Sequence, residues 1–277
     1  MKLATFRSPL SPDRTRVGRV DDDHSATLVG EFADVAELLQ QPNWRELAAH
    51  ASELTVEFEQ HTLAPPIPRP GKIICVGLNY AAHIAEMGHE RPDVPTLFIK
   101  FPEALIGPFD DIQVPSFAQD TADYEGELAV IVAKRTRNVT PEEATDSIAG
   151  FSVINDFTCR ELQKRTQQWH QGKSLERTSG FGPWLVTPDE LDAEARLHTV
   201  VNGEGRQNAP LSDLVFNPAD LVSFCSRLYT LNPGDVIATG TPAGVGHGRG
   251  QYLSHNDVVQ VSVDGIGRIR NRVVFGG

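Results

Sequence analysis

DYEGELAVIV, residues 123–132, begins in carboxylates and runs into β-branched apolar residues, the pattern of a strand that enters a core. Strand side chains alternate faces, so Glu125 and Glu127 project to one side while Gly126 leaves the other side bare. Two like charges side by side are unfavourable unless a cation or solvent compensates them. The pair is therefore either a wet strand end or part of a metal site. Asp156 bears on the choice, because it closes the apolar run GFSVIN, where a carboxylate at a strand end can turn inward. Glu125, Glu127 and Asp156, with no His or Cys beside them, form a hard oxygen set suited to Mg²⁺ or Mn²⁺, with Ca²⁺ also admissible, rather than to zinc. Three protein oxygens leave about three of six octahedral positions for water or a chelating substrate.

Outward from this stretch, strands dominate. KIICVGLNY, PTLFIK, GFSVINDF, GPWLVT, DVIATG and NDVVQVSVDGIGRIRNRVVF read as strands, TADYEGELAVIVAKR as one long strand, and Asn202-Gly203 as a hairpin turn. AAHIAEMG ends at Gly88 and reads as a helix, as do RELQKRTQQWH and the capped NPADLVSFCSRLY. Thr140-Pro141-Glu142-Glu143 is a helix start, with a capping Thr, Pro in the first turn and acids at the positive end. Hairpins outnumber βα alternations, which predicts a β-rich α+β fold with a curled antiparallel or mixed sheet. Four prolines between residues 65 and 70 predict an extended linker. The expected division is a small N-terminal domain with this linker, residues 1–69, and a larger domain, residues 70–277, that carries the carboxylates.

Composition excludes several classes. The net charge of −12 argues against a nucleic-acid partner, which needs concentrated positive surface. No apolar run approaches the ~18 residues of a membrane span, and MKLATFRSPLSPDR has no signal-peptide core. Cys75, Cys159 and Cys225 are odd in number and widely spaced, so they form neither a disulfide framework nor a thiolate zinc site; a reducing, cytoplasmic location is the expectation.

His83 and Glu86 lie three apart and share a helix face, where a carboxylate can hold the imidazole's tautomer and raise its basicity. An exposed helix pair of no consequence is the alternative. GTPAGVG, residues 240–246, lacks the Lys-Ser/Thr of a P-loop and reads as a tight loop whose backbone donors approach a ligand closely. His170 and Lys173 fit either surface or site. No G-x-S-x-G elbow supports a serine hydrolase, and no G-x-G-x-x-G follows a strand.

Taken together, ICVGLNYAAHIAEMG, PTLFIK, ALIGP, DYEGELAVIVAKRTRNVTPEEA, GFSVINDFTCRELQ, GKS, FGPWLVT, VNGEGRQN and LNPGDVIATGTPAGVG resemble, in this order, the fumarylacetoacetate hydrolase family over residues 70–277. The resemblance implies a rolled, barrel-like mixed sheet, a small variable N-terminal domain and a homodimer. It implies a divalent metal, Mg²⁺ or Mn²⁺, on Glu125, Glu127 and Asp156, and a water-activating dyad of His83 and Glu86. Arg160, Gln163 and Thr241 match the family's substrate-contacting residues, and Lys173 matches a lysine that would steady an enolate. The chain departs from the family's usual G-K-S/G-F-D in GKSLERTSG, with Glu176 where Asp is common. The function so implied is metal-dependent hydrolysis of a C–C bond in a small anionic oxo acid of the acylpyruvate, fumarylacetoacetate or fumarylpyruvate type. The alternatives are decarboxylation of oxaloacetate, isomerisation of a 2-hydroxyhepta-2,4-diene-1,7-dioate, and a non-catalytic dicarboxylate-binding protein.

Overall fold

The strand Gly126–Val132 is buried along its whole length. It pairs antiparallel with Ile148–Asn155 on one edge and with Val236–Ala238 on the other. A strand paired on both edges and covered on both faces has to be apolar throughout, which explains the unbroken LAVIV after Glu127. The alternate residues separate into two cores. Leu128, Val130 and Val132 join one cluster with Leu197, Val259 and Val261, whereas Ala129 and Ile131 join another with Val35, Leu38 and Trp44.

The computed structural model describes residues 1–8, 11–52 and 54–276. The large mixed sheet runs in the order Thr55–Glu57, Ser25–Leu28, Ser11–Val20, Lys2–Ser8, Ser179–Val186, Ile148–Asn155, Gly126–Val132, Val236–Ala238, Ile73–Gly77, Thr96–Lys100, with Leu105–Ile106 added beside Ser179–Val186. A five-stranded sheet, Glu204–Pro210, Arg196–Val201, Val258–Val263, Gly267–Phe275 and Ile112–Val114, covers one face. The fold is thus β-rich α+β with mixed sheets, as the sequence predicts. The sheets are not closed, so "barrel-like" holds only loosely. No helix among the described residues is long and apolar enough to cross a membrane.

Three local expectations change. The long strand over TADYEGELAVIVAKR is two pieces, because Ala122–Asp123 pairs with Thr158–Cys159 instead of continuing the main ladder. Between the pieces, the Glu125 amide donates to the Asn155 side chain, and the carbonyl of Glu125 accepts from the Asp156 amide. RELQKRTQQWH is two short helices, Arg160–Lys164 and His170–Lys173. Between them Thr166 Oγ1 accepts from the Gln168 amide, a local bond that competes with the helix. The proline-rich segment is extended yet packed down. Ile67 is fully buried, and the Pro66 carbonyl accepts from Thr5 Oγ1 and the Val35 amide. The N-terminal strands themselves extend the large sheet, through the pairing of Lys2 with Val186 and Leu3 with Leu185.

Gly126 marks a close approach of the two sheets. A Cβ there would lie 2.4 Å from Thr199 Oγ1 and 2.7 Å from Val261 Cγ1. Overpacking at such a contact is destabilising, so Gly126→Ala is expected to lower unfolding stability by about 1–3 kcal/mol. Urea denaturation measures this as a lower midpoint at unchanged slope. An unchanged midpoint would mean that the sheets separate freely there.

Candidate active site

The antiparallel register that pairs Gly126 with Asn155 sets the start of one strand against the end of the next. Glu125 and Asp156 are thereby neighbours although 31 positions apart. One carboxylate oxygen from each of Glu125, Glu127 and Asp156 lies within 4.8 Å of the others, and all three residues are buried. Around them stand buried cations. Lys173 Nζ donates to Glu125 Oε2 at 2.7 Å and to Asp156 Oδ2 at 2.8 Å. Arg160 Nη1 lies 2.6 Å from Glu125 Oε1. Glu127 Oε2 accepts from the Gly240 amide at 2.8 Å.

Burial opposes ionisation of Glu125, but Lys173 and Arg160 outweigh it and hold the carboxyl down at about 2. Glu127 is pushed well above the usual carboxylate range, by burial first and then by the negative Asp156 and Glu125. Lys100 Nζ lies 3.0 Å from Asp156 Oδ1 but outside hydrogen-bonding direction, so that buried oxygen accepts no hydrogen bond. Three clustered oxygen donors, one without a donor and one crowded by its neighbours, fit a hard divalent cation. With Asp123 included and all four carboxylates ionised, they face three buried cations, Lys100, Arg160 and Lys173, which leaves one negative charge in excess. A divalent ion converts that excess into one positive charge.

The dyad also forms. In the helix Ala81–Glu86, His83 Nδ1 lies 3.0 Å from Glu86 Oε2, and His83 is buried. An ionised carboxylate only accepts, so Nδ1 donates to Glu86, and in the neutral ring Nε2 is then the acceptor. The Gly244 amide secures the other oxygen, Glu86 Oε1, at 3.0 Å. Gly244 has φ +106, and a Cβ there would sit 2.0 Å from the Arg206 carbonyl, so this donor requires glycine. The loop 240–246 thus binds the protein's own acids through backbone donors: Gly240 to Glu127, Gly244 to Glu86 and Gly246 to Asp123.

A cavity of about 250 Å³ brings the expected residues together. His83, Glu125, Arg160, Gln163, Lys173 and Thr241 line it. Glu127 and Asp156 stand behind Glu125 in the carboxylate cluster. Trp169 also lines it, edge-on to Phe98 with ring centroids 5.5 Å apart. Several side chains expected to contact substrate are already engaged by the protein. Arg160 binds Asp123, Glu125 and Gln163. Thr241 Oγ1 donates to the Gly126 carbonyl and accepts from Gln207 Nε2. Glu176 is exposed.

Sequence reasoning missed three residues. Asp123 is buried and receives Arg160 Nε at 2.8 Å together with the Tyr124, Gly246 and His247 amides. Its signal was present, since Asp123, Glu125 and Glu127 repeat at the strand period. Lys100, the charged end of an apolar strand, gave a weaker signal. Gln207, whose amide joins Gly126 to Thr241 and Pro242, gave none. Asp123→Ala is expected to cost about 3 kcal/mol or more of stability, because it leaves the buried Arg160 half paired. A thermal unfolding midpoint equal to wild type would show that Glu125 alone suffices for Arg160.

A rolled β-rich fold carrying a buried three-carboxylate centre opposite a His–Glu dyad defines a narrow class of proteins. Residues 72–274 match the model of the fumarylacetoacetate (FAA) hydrolase C-terminal domain. The chain belongs to the fumarylacetoacetate hydrolase family. It is 39% identical over 252 residues to oxaloacetate tautomerase YisK of Bacillus subtilis (strain 168), covering 88% of this chain and 82% of that protein. Several solved structures match over 100% of both chains, among them the following two. A fumarylacetoacetate hydrolase from psychrophilic Exiguobacterium antarcticum has TM-score 0.87 at 37% identity. The 5-carboxymethyl-2-hydroxymuconate delta-isomerase from Mycobacterium smegmatis has TM-score 0.83 at 33% identity.

Proposed function

We propose that this chain is a divalent-metal-dependent isomerase that interconverts the keto and enol forms of a small 2-oxo diacid of the oxaloacetate type. The observation that carries the reading is one oriented base, His83 held by Glu86, lining the same 250 Å³ cavity as Glu125 of the carboxylate centre. The similarity to a tautomerase and to an isomerase supports this reading over C–C hydrolysis, the function first expected. A cation on Glu125, Glu127 and Asp156 would supply Lewis-acid polarisation of the 2-oxo carbonyl. His83 Nε2 takes a proton from the carbon beside the carbonyl and returns it to the carbonyl oxygen, so no water is consumed. Lys173, already shared between Glu125 and Asp156, keeps a positive charge beside the oxygen on which negative charge develops. Trp169 and Phe98 form an apolar wall that limits solvent access.

The second reading is hydrolysis of an acylpyruvate, in which the same dyad would deprotonate water. It is favoured by the likeness to the Exiguobacterium hydrolase. A substrate panel with Mg²⁺ or Mn²⁺ separates the two. The isomerase accelerates loss of the enol absorbance of oxaloacetate and exchange of its C3 protons with deuterated solvent, without releasing pyruvate. Cleavage of acetylpyruvate or fumarylpyruvate faster than that exchange would replace isomerisation by hydrolysis. Pyruvate formed from oxaloacetate would replace it by decarboxylation.

A further inference from the structure

Three cations line the cavity: Arg160, Lys164 and Lys173. Two are matched within the protein, Arg160 by Asp123 and Glu125 and Lys173 by Glu125 and Asp156. Lys164 has no carboxylate partner among the described residues. Its neighbours on the short helix do not supply one, because Glu161 pairs with Arg165 at 2.7 Å. Instead Lys164 Nζ rests on His247 Nε2, while His247 Nδ1 faces the Tyr252 hydroxyl at 2.8 Å. Burial, together with Lys164 and Arg160, lowers the pKa of His247, which favours the neutral ring that can accept from Lys164. Next along the chain, Gln163 Oε1 accepts from Arg160, which leaves its NH₂ group as a donor without a protein partner among the described residues.

Charge balance separates two anion positions. With a divalent ion the carboxylate centre carries one net positive charge, which the carboxylate of a 2-oxo acid neutralises. A second carboxylate on the same molecule needs a further cation, and Lys164 is the one not already matched. We infer that Lys164, parked on His247 and flanked by the Gln163 amide, is the specificity residue that reads the second carboxylate of the substrate. The site then selects 2-oxo diacids over 2-oxo monoacids. This rests on the isomerase reading for the placement of the 2-oxo end, and it adds the residue that recognises the other end.

The test is calorimetry of the Mn²⁺-loaded protein with pyruvate and with oxaloacetate, two 2-oxo acids that differ by one carboxylate. Wild type should bind oxaloacetate the more tightly. Lys164→Met and Lys164→Gln should each weaken oxaloacetate by about tenfold and leave pyruvate within about twofold, as expected for loss of one charge-assisted contact. Lys164→Arg should retain most of the preference, and Arg165→Met, outside the cavity, should change neither ligand. Equal losses for both acids, or no loss for either, would overturn the assignment. The two readings fail separately. Oxaloacetate bound through Lys164 but never enolised overturns the isomerase and leaves this assignment standing. Enolisation with a KM indifferent to Lys164→Met overturns this assignment and leaves the isomerase standing.

Discussion

Glu127→Gln is expected to weaken Mn²⁺ binding by more than about 100-fold, beyond the loss typical of residues that only support a ligand. Calorimetry on the chelator-treated protein gives the affinity directly. The substitution is close to isosteric, and the amide oxygen can still accept from Gly240, so the loop should keep its place. It also removes the acid whose ionisation burial and the neighbouring Asp156 and Glu125 oppose. The metal-free variant should therefore melt no lower than metal-free wild type. The contrast with wild type appears on adding metal. Wild type should gain about 2.7 kcal/mol at a Mn²⁺ concentration a hundred times its dissociation constant, and the variant should gain almost nothing. A variant that still binds Mn²⁺ with wild-type affinity would remove Glu127 from the site.

His83→Ala should lower kcat for enolisation by about 10²–10⁴, the usual contribution of a positioned general base. KM and Mn²⁺ affinity should stay near wild type, because His83 touches neither Glu127 nor Asp156 through any hydrogen bond. Glu86→Gln should fall between wild type and His83→Ala in kcat, since it weakens the orientation of the ring without removing the base. Deuterium exchange at C3 reports the proton step alone. An exchange rate within a few-fold of wild type in His83→Ala would transfer the role of base to another group.

Much of the site was legible because it follows from local periodicity. The alternation in Glu125-Gly-Glu127 put both carboxylates on one side, and the three-residue spacing of His83 and Glu86 put them in contact. What escaped depends on pairing across the sheets. Lys100 reaches Asp156 only because Thr96–Lys100 lies at the end of a ten-strand path, and no spacing in the chain encodes that order. Gln207 comes from the other sheet, and its contacts to Gly126 and Thr241 exist because Gly126 lets the two sheets approach. The split of the strand at Tyr124–Glu125 was invisible for a related reason. Residues 121–135 alternate and are rich in β-branched residues, and it is the side chain of Asn155 and the amide of Asp156 that interrupt the ladder. The family resemblance supplied Arg160 and Gln163, which the residues alone did not mark.

The loop 240–246 has a mechanical consequence. Its amides grip Glu127 in the carboxylate centre, Glu86 behind His83, and Asp123 behind Arg160. Three groups that arrive from different strands and a helix are thereby fastened to one short piece of backbone. When that piece is displaced by thermal motion, acid, base and guanidinium travel together, and their mutual spacing changes less than their positions do. In the proposed isomerisation proton transfer depends on that spacing, so a shared anchor would keep it steady while the surrounding strands move.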